Sequence, residues 1–340
     1  MATVGVIANP AAGKDVRRLI AHAAPVADGT KVGMLRRLLA GATEGGAHRL
    51  LLAPDRRSLT RRALDGLDLS GAGAEVEVAM LDVDPLGDRS DTVAAARAMV
   101  GEADVVVVLG GDGTCRDVAT GWPDAPLVAL STGTNNVFPR TIEPTVAGLA
   151  AGLVAAGAVP LADVARAAKV LHLDLPVGSE VALVEVALVD GHSTGSRAVW
   201  EPDLLRAVVA AIAEPDAVGL STVAAALLPC DRDDEWGAVV HVGADGRDVR
   251  VPLLPGGFRT VRGCTVELLR ADRPVRLDGP GVLAIDGERS LVLRAGDAVT
   301  LTLRRDGPRV VDVHRTLAIA AAEGRFRSDA RLETACPPSS

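Results

Sequence analysis

The stretch VVVVLGGDGTCRDVA, residues 105–119, runs from a β-branched apolar segment into Gly110, Gly111, Asp112, Gly113 and Thr114, then resumes with helical spacing. The valine run predicts a buried strand, and the residues from Cys115 onward predict a helix with Thr114 as N-cap and Asp117 three residues on. Glycines permit positive φ and let a ligand approach the backbone closely, while a helix N-terminus offers unpaired N–H groups to an anion. Together they predict a phosphate cradle. A phosphate gains nothing from a carboxylate beside it unless that carboxylate binds a metal or takes a proton, so Asp112 adds chemistry to the cradle.

Outward from this turn, residues 1–158 alternate short apolar runs with longer amphipathic ones. Val4–Ala8, Arg49–Ala53, Glu75–Leu81, Val105–Leu109 and Leu127–Leu130 read as strands, and DGTKVGMLRRLLAGATE, DRRSLTRRALDGL and DRSDTVAAARAMVGEA between them read as helices. This alternation predicts an α/β domain, Rossmann-like, with a parallel sheet covered on both faces and ligand-binding loops along one edge. From residue 159 to 325 the pattern becomes many short strands separated by glycine turns, an antiparallel β domain interrupted by a helical insertion near 201–228. A last helix is expected at about Thr316–Glu323, and residues 326–340 have little to bury and are expected to be disordered.

Composition narrows the functional classes. The chain has 340 residues, 48% of them hydrophobic, which is enough for a large core and most simply two domains. Aromatic residues make up only 2%, with no tyrosine, and the net charge is −8 with scattered basic residues. A nucleic-acid reader that stacks bases and a membrane-surface binder are therefore disfavoured. Cys115, Cys230, Cys264 and Cys336 lie far apart without a CxxC pair, which argues against a zinc site or a disulfide framework and fits a reducing cytoplasm. The N-terminus lacks the basic start and apolar run of a signal peptide, and Val146–Val159 reads as an Ala-rich packed helix too short to cross a bilayer.

Two further loops fall on the same predicted sheet edge. ALSTGTNNVFP brings Ser131, Thr132, Thr134, Asn135 and Asn136, hydroxyls and amides able to hold a sugar, a base edge or a substrate alcohol without adding charge. VIANPAAGKDVRR follows the first strand. It has Ala8 where the ATPase phosphate loop needs glycine and Asp15 where that loop needs Ser or Thr, so the P-loop reading fails. What remains is a loop carrying Asn9 and Lys14 towards the edge.

NPAAGKD, GGDGT and TGTNN, in this order on the first, fourth and fifth strands, resemble the superfamily of NAD kinases, diacylglycerol kinases and sphingosine kinases. GSRAVWEPDLLRAVV, AVGLSTVAAALLP, AIDGERSLVL and GPRVVDVHRTLAIAAAEG resemble more specifically the acetoin catabolism protein X branch of the ATP-NAD kinase family, over nearly the whole chain to about residue 325. The resemblance implies a C-terminal β-sandwich-like domain and a nucleotide site in the cleft between the domains. It implies Gly110, Gly111, Gly113 and Thr114 as the phosphate-binding turn, Asp112 as the acid near the reacting hydroxyl, and Asn9 to Lys14 beside the phosphates. Glu185 matches the second member of the Asn-Glu pair that holds NAD in NAD kinases. Val184 replaces the asparagine. Asp286 and Glu288, in IDGER, follow the Asp-Gly-Glu of lipid kinases and are candidates for a second acidic group.

The implied reaction is phosphoryl transfer from ATP with Mg²⁺ to a small-molecule hydroxyl, NAD(H) being the first acceptor to consider. Such transfer needs the phosphates neutralised, the acceptor oxygen in line and a base for its proton. Arg197 is a candidate phosphate contact because a guanidinium binds phosphate bidentately. His192 is a lesser candidate, and Trp200 is expected in the core. The alternatives are a nucleotide- or NAD-binding regulator without turnover, favoured by Val184, and a lipid kinase. A homo-oligomer, most simply a dimer, is expected from the resemblance and from the prevalence of symmetric dimers.

Overall fold

The computed structural model describes residues 1–13, 26–69, 76–133, 135–191, 201–287 and 289–327. Strands β1 (Thr3–Ala8), β2 (Arg49–Leu52), β3 (Glu77–Met80), β4 (Val105–Gly110) and β5 (Pro126–Ser131) alternate with helices α1 (Asp28–Glu44), α2 (Leu59–Leu64), α3 (Arg89–Met99), α4 (Asp112–Gly121) and α5 (Pro144–Ala155). Then come α6 (Leu161–Val164), β6 (Ala165–Ala167), β7 (Val170–Asp174), β8 (Ser179–Ala182), β9 (Glu185–Val189), β10 (Leu205–Ala210), α7 (Ser221–Ala225), β11 (Trp236–Leu254) and β12 (Gly257–Arg270). The chain continues through β13 (Val275–Asp278), β14 (Gly281–Ile285), β15 (Arg289–Leu293), β16 (Ala298–Arg304), β17 (Arg309–Val311) and α8 (Val313–Ala322).

The first sheet has the order β3-β2-β1-β4-β5-β17-β6, parallel from β3 to β17 and antiparallel only at β6. Two antiparallel sheets follow, β12-β11-β10-β9-β14-β15 and β13-β16-β7-β8. The molecule is thus a parallel-sheet α/β domain followed by antiparallel β sheets. β4 lies centrally and is buried throughout, its side chains alternating between two cores. Val105, Val107 and Leu109 pack with α1, α5 and α8, whereas Val106 and Val108 join a cluster that runs on through Cys115 and Val118 to Leu171, Val186 and Leu283. One apolar core therefore crosses from the first sheet into the antiparallel ones, and fixes α4 against them.

Helices α1 and α5 approach at glycine. A Cβ on Gly41 or Gly45 would overlap the backbone of Thr145 or Leu149, and one on Gly148 or Gly152 that of Leu38 or Ala42. Val146–Val159, read as a packed helix, is largely α5. Among the described residues no helix is long and apolar enough to cross a membrane.

Three expectations change. Residues 201–228 are not a helical insertion: after one 3-10 turn at Pro202–Leu204, β10 is hydrogen-bonded between β9 and β11, and only Ser221–Ala225 is α-helical. A short run such as LRAVVA, nearly all buried, has the same apolar pattern as a helix segment, and pairing with two strands decides it. Second, residues 159–325 are not one β unit, because β6, β17 and α8 return to the first sheet. Third, α4 starts at Asp112 with Gly111 as N-cap, so Thr114 lies inside the first turn.

Candidate functional site

Parallel pairing of β1, β4 and β5 brings their C-terminal ends together, and the loops that follow are laced to one another. Asn9 N–H donates to Leu109 O (3.0 Å) and Thr132 N–H to Gly110 O (3.0 Å). Asn9 Nδ2 donates to Thr114 Oγ1 (2.9 Å), which also accepts from Gly111 N–H (3.4 Å). Asn136 Nδ2 donates to Ser131 Oγ (2.8 Å). The glycines of the turn are not needed for positive φ, which is confined to other positions. Two of them are needed for space: a Cβ on Gly110 would lie 2.5 Å from Thr114 Cβ, and one on Gly111 2.8 Å from Asn136 Oδ1.

Asp112, buried at the start of α4, accepts from the backbone N–H groups of Val137 (3.0 Å) and Phe138 (2.8 Å) through Oδ1. The carbonyls of the same two residues accept from Arg232 (2.9 and 3.2 Å). The Val137–Phe138 segment is thus held from both sides, and holds the carboxylate in turn. Asp286 is arranged in parallel fashion. In a left-handed turn (φ 46°), it accepts from the N–H groups of Leu183 (3.1 Å), Val184 (2.9 Å) and Glu185 (3.3 Å).

Arg116, buried on α4, reaches across to this second aspartate (3.8 Å) and donates to Ile285 O (3.0 Å). Burial pushes the Asp286 carboxyl above its ordinary range, against Arg116 and the backbone donors, which pull it down. Burial likewise pushes Asp117 up, against Arg116 and Arg89.

Two cavities flank the Gly110–Thr114 turn. A small one of about 20 Å³ is lined by Asp112, Asn135, Asn136, Glu185, Ser221 and Asp286, with Gly287, Val218–Leu220 and Leu253. A larger cleft of about 440 Å³ lies over Asn9–Ala11, Gly113, Thr114 and Arg116, walled by Asp55, Asp88 and Arg89. Lys31, only 1% exposed, shapes its first loop by donating to the carbonyls of Asn9 (3.1 Å), Pro10 (2.9 Å) and Ala12 (2.6 Å). Arg89 bonds Asp117 (3.1 Å) and Glu180 (3.4 Å), tying α3 and α4 to β8.

Among the described residues no group of three His, Cys, Asp or Glu side chains could hold a metal ion. The cleft carboxylates serve their own loops: Asp55 accepts from Arg57, Leu59 and Thr60, Asp88 from Ser90, and Asp91 from Leu86 and Gly87. This donor set fits a hard cation that arrives with phosphate oxygens and water and takes one or two carboxylates, as Mg²⁺ does. It does not form a cage for a resident ion.

The structure therefore brings Asp112, Asn135, Asn136, Glu185 and Asp286 around one cavity, and Asn9, Gly113 and Thr114 around the other. Gly110 and Gly111 connect them. Thr132 is buried away from both, its hydroxyl without a hydrogen-bond partner. Val184 is fully buried in the apolar core, and Glu185 alone of that pair lines the cavity. Lys14, Thr134, His192, Arg197, Trp200 and Glu288 lie outside the described residues. Sequence reading missed Lys31, Arg116, Arg232 and Ser221. Their roles depend on strand order and domain packing, for which single residues carry no signal.

The chain is similar to several known proteins. Residues 59–167 match the diacylglycerol kinase catalytic domain model, so the N-terminal part is kinase-like, and residues 169–306 match the acetoin catabolism protein X C-terminal domain. Among solved structures, yeast NADH kinase complexed with NADH is similar at 14% identity and a TM-score of 0.49, over 97% of this chain and 89% of that one. An NAD kinase from Archaeoglobus fulgidus in complex with ATP is similar at 14% identity and 0.45, over 82% and 99%. At that distance neither says what this chain binds. Acetoin catabolism protein X of Cupriavidus necator is 38% identical across 96% of this chain and 94% of its own length. On that match, the chain belongs to the acetoin catabolism protein X family.

Proposed function

We propose that the chain is a Mg-ATP-dependent phosphotransferase that acts on a hydroxyl of a small molecule. One observation carries the reading: a single turn presents Gly113 and Thr114 to the 440 Å³ cleft and Asp112 to the small cavity on its other side. In this reading the nucleotide phosphates lie against Asn9, Gly113 and Thr114, with the first-turn N–H groups of α4 directed at them. Mg²⁺ neutralises phosphate charge when bound with the nucleotide. The acceptor hydroxyl sits beside Asp112, which takes its proton; such assistance supplies roughly 10²- to 10⁴-fold in rate. Lys14 and Arg197 remain proposed phosphate contacts, Thr134 a proposed member of the substrate loop, and Asp286 and Glu288 candidates for a second acidic group, whereas the buried Thr132 is not proposed to touch substrate. A homodimer in a reducing cytoplasm completes the proposal, the buried thiols of Cys115, Cys230 and Cys264 being compatible with it.

The test is phosphate transfer from Mg-ATP to NAD and to a panel of nucleosides, sugars and acetoin. Transfer to NAD supports NAD kinase activity with valine at position 184, and transfer to another alcohol supports a kinase of different specificity. A second reading, a nucleotide- or NAD-binding regulator, is favoured by the water-sized cavity beside Asp112 and by the apolar Val184. Tight ATP or NAD binding without transfer to any acceptor supports that reading instead.

A further inference from the structure

We propose that Arg232 is a positioning residue for Asp112: its guanidinium acts on the carboxylate through the Val137–Phe138 peptide group and holds it where the acceptor hydroxyl reacts. This rests on the phosphotransferase reading and names what fixes its base.

Arg232 lies between α7 and β11 in the antiparallel part of the chain, whereas Val137 and Phe138 follow β5. Its Nη2 donates to Val137 O at 2.9 Å and its Nη1 to Phe138 O at 3.2 Å. The carbonyl of Val137 and the N–H of Phe138 belong to one trans peptide group, so they point in opposite directions. That N–H donates to Asp112 Oδ1 at 2.8 Å. A cation at the oxygen end and an anion at the hydrogen end polarise the peptide in the same sense, and each bond strengthens the other. Phe138 O belongs to the bond with Pro139, which has no N–H to pass the polarisation on, so this half of the fork serves to fix direction.

Both ends of this link are tethered. Val137 and Phe138 are buried, so water competes little for the peptide's bonds. The segment is pinned to β5 just beyond them, where Ser131 N–H donates to Arg140 O (2.8 Å) and Arg140 N–H to Ala129 O (3.2 Å). Arg232 is held through its own carbonyl, which accepts from Arg305 (3.2 Å), and through its Nε, which donates to Glu214 (3.4 Å). Glu214 also accepts from Arg140 at 2.9 Å, so one carboxylate is divided between two guanidiniums and does not cancel the charge of Arg232.

The consequence falls on the reacting group. Asp112 opens α4 at the turn shared by the two cavities, and a displacement of about 1 Å at such a group costs about 100-fold in rate. Without the guanidinium, Val137 and Phe138 still donate to Asp112, but the peptide that carries the shorter bond loses its partner at the oxygen. The carboxylate should then stray from the acceptor, which lowers kcat and leaves substrate binding in place.

The experiment compares wild type, Arg232→Met, Arg232→Lys, Asp112→Asn and the double variant Arg232→Met with Asp112→Asn. Urea unfolding gives a stability cycle that needs no activity. Transfer from Mg-ATP to NAD and the panel of alcohols gives kcat and acceptor KM, and calorimetry gives ATP affinity. Arg232→Met should raise the unfolding constant, and the rise should be about fivefold smaller when Asp112→Asn is already present, because asparagine accepts the same bonds without the charge. Its kcat should fall about 10- to 100-fold, with acceptor KM and ATP affinity within about twofold of wild type. Arg232→Lys, which keeps a charged donor but not the fork, should exceed Arg232→Met in kcat by about threefold or more. If Arg232→Met does not fold, Arg232→Gln, a neutral donor, replaces it in both measurements. A residue that only supports the fold would give additive effects in the cycle and leave kcat unchanged. With transfer by wild type, additive stability effects, a kcat within about twofold of wild type, or Arg232→Lys no better than Arg232→Met overturns the proposal and leaves the phosphotransferase reading intact. Bound ATP with no transfer by wild type overturns both.

Discussion

Replacing Arg116 with methionine tests how the two parts of the molecule are joined around the site. Arg116 is 3% exposed, lies 3.8 Å from the fully buried carboxylate of Asp286, 3.5 Å from Asp117, and donates to Ile285 O at 3.0 Å. Removing one partner of a buried ion pair costs about 3–5 kcal/mol, because the other charge is left buried. The three backbone N–H groups on Asp286 remain, and Arg89 still serves Asp117, so the lower end, about 3 kcal/mol, is expected at pH 7.5. The loss should depend on pH in a defined direction. Burial already raises Asp286, and without Arg116 it rises further. A carboxyl whose folded value lies above the unfolded value near 3.8 contributes stability below that value and loses it as pH rises through the folded one. Arg116→Met should therefore be most destabilised at neutral pH and partly recover as the pH falls. Urea unfolding followed by tryptophan fluorescence measures the difference. The double variant Arg116→Met with Asp286→Asn, which retains an acceptor for the backbone donors, should regain about 2 kcal/mol of the loss. A single variant within about 1 kcal/mol of wild type, or a loss untouched by Asp286→Asn, refutes a buried charge pair as the link.

Other predictions probe the surroundings. Gly148→Ala should destabilise by about 2–3 kcal/mol, because its methyl would overlap the Leu38 carbonyl and push α1 from α5. Gly29→Ala, with nothing near its Cβ, should instead stabilise by about 0.5–1 kcal/mol, and thermal unfolding of the two separates close packing from helix propensity. Lys31→Met removes three bonds to the carbonyls of the Asn9–Ala12 loop, and should weaken ATP binding about tenfold by calorimetry. Unchanged affinity would separate that loop from the nucleotide.

The α/β half was legible because its signals are local. DGTKVGMLRRLLAGATE coincides with α1, and the valine run that ends in glycine is β4. The clustering of Asp112, Asn135 and Asn136 could be anticipated from loops that follow adjacent parallel strands. Three features could not be read this way. LRAVVA carries the same apolar pattern in a strand as in a helix, so its place between β9 and β11 emerges only from pairing. The return of Arg309–Val311 to β5 is a matter of sheet order, separated by the whole antiparallel region. Lys31 looks like any helix-surface lysine, and is buried because the preceding loop folds three carbonyls over it. The glycines of the turn were expected for positive φ and for close approach of a ligand; at Gly110 and Gly111, Thr114 and Asn136 add a different reason, by occupying the space a Cβ would need.

The central claim is that Asp112 takes the acceptor's proton in a phosphate transfer. Its most direct test is the rate of transfer from Mg-ATP by wild type and Asp112→Asn, with ATP affinity measured on both. Asparagine keeps an oxygen for the N–H groups of Val137 and Phe138 and loses the base. The account predicts transfer by wild type, a fall of about 10²- to 10⁴-fold in the variant, and ATP affinity changed by no more than about twofold. Transfer by Asp112→Asn at the wild-type rate, or ATP binding by both proteins with transfer by neither, contradicts it.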